Sequence, residues 1–253
     1  MTTHETLVAS QFGPQAAAYV TSAVHAQGED LVQMAAAVRG QAQARVLDLG
    51  CGGGHVSFNV APHVREVVAY DLSRDMLGAV AATAASRGLA NIVTQQGRVE
   101  ALPFADGAFD VVMSRYSAHH WHGFAPALKE ARRVLKPGGR AVFADAVSPA
   151  TGLLDTFAQA IELLRDPSHV RDYTVEEWTE ALTAAGFTVG AVTRRRLHLE
   201  FASWVARMRT PDIHVQAIRS LQACMAREVI EHFAIEPDGS FMLDTATIEA
   251  RAA

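Results

Sequence analysis

Cysteine is scarce. Cys51 and Cys224 are the only two in 253 residues, far apart and without metal-ligand spacing, so a disulfide framework or a cysteine-based zinc site gets little support. No uninterrupted apolar run approaches the ~18 residues of a membrane span. The opening MTTHETLVASQFG lacks the basic and apolar regions of a signal peptide, so a cytoplasmic protein without a membrane span is expected. Positive charge is in deficit, with 22 basic against 27 acidic residues and a net charge of −5, which disfavours a protein built to cover nucleic-acid phosphates. Low-complexity tracts and repeats are missing. With 49% hydrophobic and 19% charged residues, the composition is that of a globular domain rather than a disordered, collagen-like or coiled-coil chain. A chain of this length buries roughly 70 to 75% of its unfolded surface and needs no staple.

What is present is an alternation. Leu31, Met34 and Val38 fall at helical spacing over Asp30 to Arg39, with Gly40 as the stop. The apolar run Val46 to Leu49 predicts a strand, followed by a glycine-rich turn and a short helix ending near Pro62. Val67 to Tyr70 reads as a second strand, and Ser73 caps a helix that runs to Gly88. Ile92 to Thr94 and Phe109 to Ser114 are the next strands. Phe124, Leu128, Ala131 and Leu135 mark a helix face that ends at Lys136-Pro137-Gly138-Gly139, before a fifth strand over Ala141 to Ala144. Short apolar strands separated by helices imply a mostly parallel sheet covered on both faces.

The second half predicts helices over Leu153 to Leu164 and Thr174 to Ala185, the latter with Thr174 and Glu177 spaced as a capping box. Phe187 to Val192 reads as a strand. A helix after Thr210-Pro211 shows Ile213, Ala217, Leu221 and Met225 at one-face spacing, and Pro237-Asp238-Gly239 predicts a hairpin between Phe233 to Ile235 and a strand from Phe241 through Ile248.

The segment that carries chemistry is Val46-Leu47-Asp48-Leu49-Gly50-Cys51-Gly52-Gly53-Gly54-His55, a buried strand entering a glycine-rich turn at a helix start. Glycines let a ligand approach the main chain, and exposed amides at a helix start suit an anion. The dinucleotide fingerprint wants glycine or alanine where His55 stands, which disfavours NAD. The next strand ends in Asp71, where a carboxylate can accept from both hydroxyls of a ribose. An adenosine without pyrophosphate fits both features.

On these residues, with VAYDLSRDML (Val68 to Leu77), EALPFADGAF (Glu100 to Phe109), SRYSAHHW (Ser114 to Trp121) and EARRVLKPGGR (Glu130 to Arg140), the chain resembles the class I S-adenosylmethionine-dependent methyltransferases. Within them it is similar to the ubiquinone and menaquinone biosynthesis C-methyltransferase branch, methyltransferase type 11. The resemblance implies a Rossmann-like, doubly wound α/β sheet of seven strands, mostly parallel with the last antiparallel, plus a helical cap. It implies one domain over 1–253: N-terminal helices over the cofactor (1–40), a cofactor-binding core (41–148), a cap (149–210), and a C-terminal helix with the last strand (211–253). S-adenosyl-L-methionine would be the cofactor and S-adenosyl-L-homocysteine its product. By the same resemblance the backbone of Gly50, Gly52 and Gly54 lies against the methionine part, Asp48 sits near its amino group and Asp71 holds the ribose. Leu72, Met76 and Leu102 flank the adenine, while Tyr19, Val99 and Ser114 complete the cofactor site. Gln11-Phe12 and Ala18-Tyr19 are similar to the branch's lead-in helix. After Gly97, where the family usually has an aspartate accepting from the adenine amino group, stands Arg98, and arginine cannot accept a hydrogen bond. Arg98→Asp is therefore expected to strengthen binding.

The expected activity is methyl transfer to a small-molecule acceptor, with the atom methylated and a homodimer left open. An NAD-dependent oxidoreductase and a non-catalytic S-adenosylmethionine-binding protein are the alternatives. His120 and Tyr173 are the candidate general bases. His119, His120 and His122 lack a third ligand at metal spacing, and Asp145 stands alone at the end of the fifth strand, so no metal is expected. Cys51 reads as a packing residue, Arg194-Arg195-Arg196 as a solvated strand end, and Trp178, Phe157 and Phe187 as core. The segment 166–173 reads either as a plain surface connection or as a segment that closes over the acceptor through His169, Arg171 or Tyr173.

Overall fold

Buried aliphatic runs decide the centre of the protein. In the computed structural model of the chain, residues 3–12 and 28–253 are described. Ala18 and Tyr19 lie outside them. Among the described residues the order begins with α1 (His4–Phe12) and α2 (Glu29–Ala37), then β1 (Arg45–Leu49), α3 (His55–Val60) and β2 (Glu66–Asp71). After α4 (Arg74–Ser86) come β3 (Ile92–Gln96), β4 (Phe109–Arg115), α5 (Phe124–Val134) and β5 (Leu135–Ala146). The remainder is α6 (Gly152–Arg165), α7 (Val175–Ala184), β6 (Phe187–Leu199), α8 (Phe201–Met208), α9 (Asp212–Cys224), α10 (Arg227–Phe233) and β7 (Phe241–Ala252).

The strands form one seven-stranded sheet in the order β3-β2-β1-β4-β5-β7-β6. The first five are mutually parallel, and β7 runs antiparallel between β5 and β6. Val46, Leu47 and Leu49 on β1 are all buried, as a strand covered on both faces requires. Strand order reverses between β1 and β4, and a crevice at the carboxyl ends of the strands follows from that reversal.

Local chemistry sets the helices around this crevice. The Ser73 hydroxyl accepts the Met76 amide and starts α4, which buries Met76, Leu77, Val80 and Ala84. Helix α5 buries Phe124, Ala127, Leu128, Ala131 and Val134, and each large apolar side chain so placed contributes roughly 1.5 to 3 kcal/mol. Thr174 and Glu177 form the expected capping box at α7, in which each side chain bonds the other's backbone. Trp178, Phe157 and Phe187 are buried as anticipated.

Several boundaries differ from the sequence expectation. Within 149–210, Trp178 and Leu182 of α7 and Phe187 of β6 pack into the sheet's own core. Phe157 of α6, Trp204 of α8, Ile218 of α9 and Phe233 of α10 cluster instead with Phe241 of β7. No hairpin precedes β7, because Phe233 ends a helix and Pro237-Asp238-Gly239 turns from that helix into the strand. Along α9, Ile218 and Gln222 are buried while Ile213 is exposed, so the inward stripe is rotated from the one the spacing suggested. Strand β5 already begins at Leu135, and Lys136-Pro137-Gly138-Gly139 lies within it.

Candidate active site

The glycine-rich turn is shaped by three different demands. Gly50 adopts φ +69, and a Cβ there would lie 1.9 Å from the Ser117 hydroxyl, so β1 and the segment after β4 meet only because this residue has no side chain. Gly52, at φ +47, has nothing within 4 Å of an added Cβ and lines the open cleft. Gly54 is different: its Cβ would come within 2.9 Å of Val80 and 3.0 Å of Phe58, and it does not line the cleft. It is the residue that lets α3 pack closely, not a ligand-facing one.

Asp48 projects from β1 beneath this turn, 1% exposed. Its Oδ2 accepts the Ser57 hydroxyl at 2.6 Å and the Ser57 amide at 3.0 Å. Its Oδ1 is buried with no hydrogen-bond partner among the described residues. Burial, only partly offset by Ser57, pushes the carboxyl up to about 7. Asp71, at the end of β2, accepts the Gly52 amide at 2.9 Å and the Ser73 amide at 2.8 Å. Burial likewise raises it, against those amide bonds. One carboxylate thus ties the turn to the next strand and still presents acceptor lone pairs to the cleft.

Leu72, Met76, Val99 and Arg98 line the same cleft, and α1 contributes His4, Glu5, Val8 and Phe12. Arg98 meets Glu5 at 2.8 Å and Glu100 at 3.8 Å, so it links α1 to the loop after β3. Its carbonyl accepts the Tyr70 hydroxyl at 3.0 Å.

Arg115, Tyr116, Ser117, Trp121, His120 and His122 form the far wall. Tyr116 is a non-glycine residue at φ 48, a strained backbone held by its amide bond to Ala144 and a sign of functional constraint. Burial pushes its hydroxyl up to about 12. Arg115 pairs with Asp30 of α2 at 2.5 Å, both largely buried. Beyond this wall opens a second cavity of about 530 Å³, which shares Phe12, Arg115, Tyr116 and His120 with the first. His120 therefore stands between the two. Its Nδ1 lies 3.1 Å from the Ser168 carbonyl, which can only accept, so Nδ1 carries the proton and Nε2 is left as an acceptor. Burial and the neighbouring His119 hold its pKa down to about 3.

His119 is the opposite case. Burial alone would lower it, but the Asp145 carboxylate, 2.5 Å from Nδ1, more than reverses this and holds it up to about 9. Asp166 and Asp172, from the loop after α6, are buried and line the second cavity.

The structure brings together Asp48, Gly50, Gly52, Asp71, Leu72, Met76, Arg98, Val99 and His120. It does not bring Ser114, whose buried hydroxyl lies in β4 off the cleft, without a partner among the described residues. Leu102 is in the sheet core rather than beside the cleft. Tyr173 lines neither cavity: its ring stacks on Phe124 at 3.8 Å, so the second candidate base is a packing residue. Arg171 turns to Asp155 and Glu177, and His169 to Gln159. The loop does reach the second cavity, but through Asp166, ahead of the side chains the sequence nominates, and Asp172, between Arg171 and Tyr173. Tyr19 is outside the described residues. Ser57 and Asp30 were missed: Ser57 lies only nine residues from Asp48 but matches no motif, and Asp30 meets a partner 85 residues away.

Residues 47–143 match the methyltransferase domain family. The chain is 48% identical over 204 residues to the uncharacterized protein YafE of Escherichia coli, covering 81% of this chain and 99% of that protein. It is 36% identical to the uncharacterized methyltransferase YcgJ of Bacillus subtilis over 79% of each chain. The crystal structure of YcgJ superposes with a TM-score of 0.85, covering 88% of this chain and 97% of that one. A demethylmenaquinone methyltransferase of Lactococcus lactis shares 38% identity over 47% of each chain. The cleft at the sheet's reversal point, the glycine turn and these relatives agree: the chain belongs to the class I methyltransferases.

Proposed function

We propose that the chain transfers a methyl group from S-adenosylmethionine, held in the glycine-turn cleft, to a small-molecule acceptor in the adjoining cavity. The observation that carries this reading is Asp48 Oδ1, a buried carboxylate oxygen without a donor, set beneath a turn whose Gly52 leaves room for a ligand. An ammonium satisfies such an oxygen, and the cofactor carries one. Asp71 supplies acceptors for ribose hydroxyls, and Leu72, Met76 and Val99 offer the apolar walls an adenine needs.

When bound, the cofactor supplies a methyl on a sulfonium that is its own leaving group. The chain's task is then alignment and exclusion of water. The Asp30–Arg115 pair and the strained Tyr116 hold the wall between the cavities, and α1 covers the cleft through Glu5 and Arg98. His120 Nε2, at the junction of the two cavities, is left as a hydrogen-bond acceptor that orients a polar acceptor group.

The test is incubation of the full chain with methyl-labelled S-adenosylmethionine and a metabolite extract. Label should appear in a low-mass product and fall sharply in Asp48→Asn and His120→Ala. Label transferred only to protein or nucleic acid would overturn the small-molecule reading.

A further inference from the structure

Where the cavities meet, two hydrogen-bond acceptors stand side by side, and no donor among the described residues serves either of them. His120 gives its Nδ1 proton to the Ser168 carbonyl, so Nε2 offers a lone pair. Asp166 is 1% exposed, and its Oδ2 is buried without a hydrogen-bond partner among the described residues. Its Oδ1 is already committed, accepting the Ser168 amide at 2.8 Å and the Ser168 hydroxyl at 2.6 Å. The two free acceptors, Nε2 and Oδ2, lie 3.9 Å apart. At that distance, and with the imidazole neutral, they form neither a hydrogen bond nor an ion pair. Asp166 lines the second cavity, and His120 lines both that cavity and the cofactor cleft.

A single atom carrying two hydrogens satisfies both. A nitrogen at about 2.9 Å from each acceptor sees them at an angle of roughly 85°, close enough for the two hydrogens of one amino group to reach both. A hydroxyl brings one hydrogen and serves only one of the pair. Water also brings two, but a substrate group that displaces it without matching both bonds loses affinity, and an amino group matches them. The rest of the lining decides its charge. Arg115, Arg165, Arg195, Arg196 and Arg207 all face this cavity, and surrounding positive charge disfavours the protonated form of an amine. The nitrogen then keeps the lone pair that a nucleophile needs. Leu197, Leu199, Trp204, Met208 and Leu243 supply an apolar wall for the remainder of the molecule.

We propose that the methyl acceptor is a primary amine on an apolar body, bound neutral, with its two hydrogens donated to His120 Nε2 and Asp166 Oδ2. This rests on the methyl-transfer reading above and names the class of its acceptor. With both hydrogens so engaged, the nitrogen is held at the junction and the lone pair is free for the cofactor's methyl. That pair forms the new N–C bond while the C–S bond breaks and its electrons pass to sulfur. The positive charge moves from sulfur to nitrogen, beside the Asp166 carboxylate, and the surplus proton leaves to solvent with the released product. Ser168 acts on both partners: its carbonyl fixes the His120 ring and its amide and hydroxyl fix Asp166, so it is a positioning residue.

The full chain is incubated with methyl-labelled S-adenosylmethionine and a metabolite extract, part of which is first treated with acetic anhydride and then with hydroxylamine. That treatment blocks amines as amides and frees hydroxyls from their esters. The untreated extract should yield a low-mass product whose methyl resonance places it on nitrogen, and the treated extract should yield about tenfold less or lower. Asp166→Asn keeps the Oδ1 bonds to Ser168 but sets an amide donor against the amine's hydrogen. It should slow labelling in untreated extract about tenfold or more, with S-adenosylhomocysteine affinity within about threefold by calorimetry. Should that variant fail to fold, the acetylation comparison on the wild type decides alone. Label that survives acetylation, a methyl on oxygen or carbon, or an unchanged rate in folded Asp166→Asn would overturn the amine while leaving methyl transfer intact. No low-mass label from the untreated extract would overturn both.

Discussion

Ser57 grips one carboxylate oxygen of Asp48 from two sides, through its amide at 3.0 Å and its hydroxyl at 2.6 Å, and leaves the other oxygen buried without a partner among the described residues. The residue is thus oriented but not neutralised. Because burial raises Asp48 to about 7, the free protein holds a proton there that a cationic ligand must displace. Affinity for S-adenosylhomocysteine should be level above that pH and fall by up to about tenfold per unit below it. Asp48→Asn should weaken binding by about 10-fold to 150-fold, from about 1.5 to 3 kcal/mol per bond to a charged group, and should flatten this pH dependence. Calorimetry from pH 5.5 to 8.5 checks both.

The glycines should separate stability from binding. Gly54→Ala pushes a methyl against Val80 and Phe58 at φ +80, and overpacking together with left-handed strain should cost about 2 to 4 kcal/mol. Its melting temperature should fall by several degrees. Gly52→Ala meets no atom of the chain, so its stability loss should stay near 1 kcal/mol, while S-adenosylhomocysteine affinity drops by more than about tenfold. Thermal melts and calorimetry on the two variants decide whether the difference in surroundings is real.

Much of this was legible along the chain because it depends on near neighbours. Strand runs, the glycine turn, the Ser73 cap and the Thr174–Glu177 box each need only a few adjacent residues. Asp71 could be named for the same reason, as a strand end beside a turn, while Asp48 came from the family resemblance of that turn. The acceptor side was illegible because its walls are assembled by crossovers. His169, Arg171 and Tyr173 look like the chemically able members of their loop, yet Gln159, Asp155 with Glu177, and Phe124 engage them, and the intervening Asp172 faces the cavity instead. Nothing in the spacing of that loop shows which way each side chain turns.

Arg98 is a second case in which context reverses the sequence expectation. Its guanidinium is half-exposed and paired with Glu5, so Arg98→Ala should cost no more than about 1 kcal/mol, under about fivefold in affinity. Arg98→Asp would place a carboxylate beside Glu5 and Glu100. It should weaken cofactor binding by loosening α1 rather than strengthen it, and calorimetry on the pair of variants reads the sign directly.

His120 and Tyr173 should behave differently in turnover. His120→Ala should lower kcat at least about tenfold while S-adenosylhomocysteine affinity stays within about threefold, the signature of a group acting on the acceptor. Tyr173→Phe keeps the ring stacked on Phe124 and should leave kcat unchanged. Single-turnover kinetics with any acceptor found in the extract settles both; a large loss on Tyr173→Phe would restore its hydroxyl to the site.

The central claim is that the glycine-turn cleft holds S-adenosylmethionine, and thermal melts of the purified chain with S-adenosylhomocysteine and with NADH test it most directly. A ligand at a hundred times its dissociation constant adds about 2.7 kcal/mol, equivalent to roughly 5 to 10 °C for a chain of this size. S-adenosylhomocysteine should raise the melting temperature by that amount in the wild type, much less in Asp48→Asn, and NADH should not raise it. A shift with NADH and none with S-adenosylhomocysteine at millimolar concentration would contradict the account.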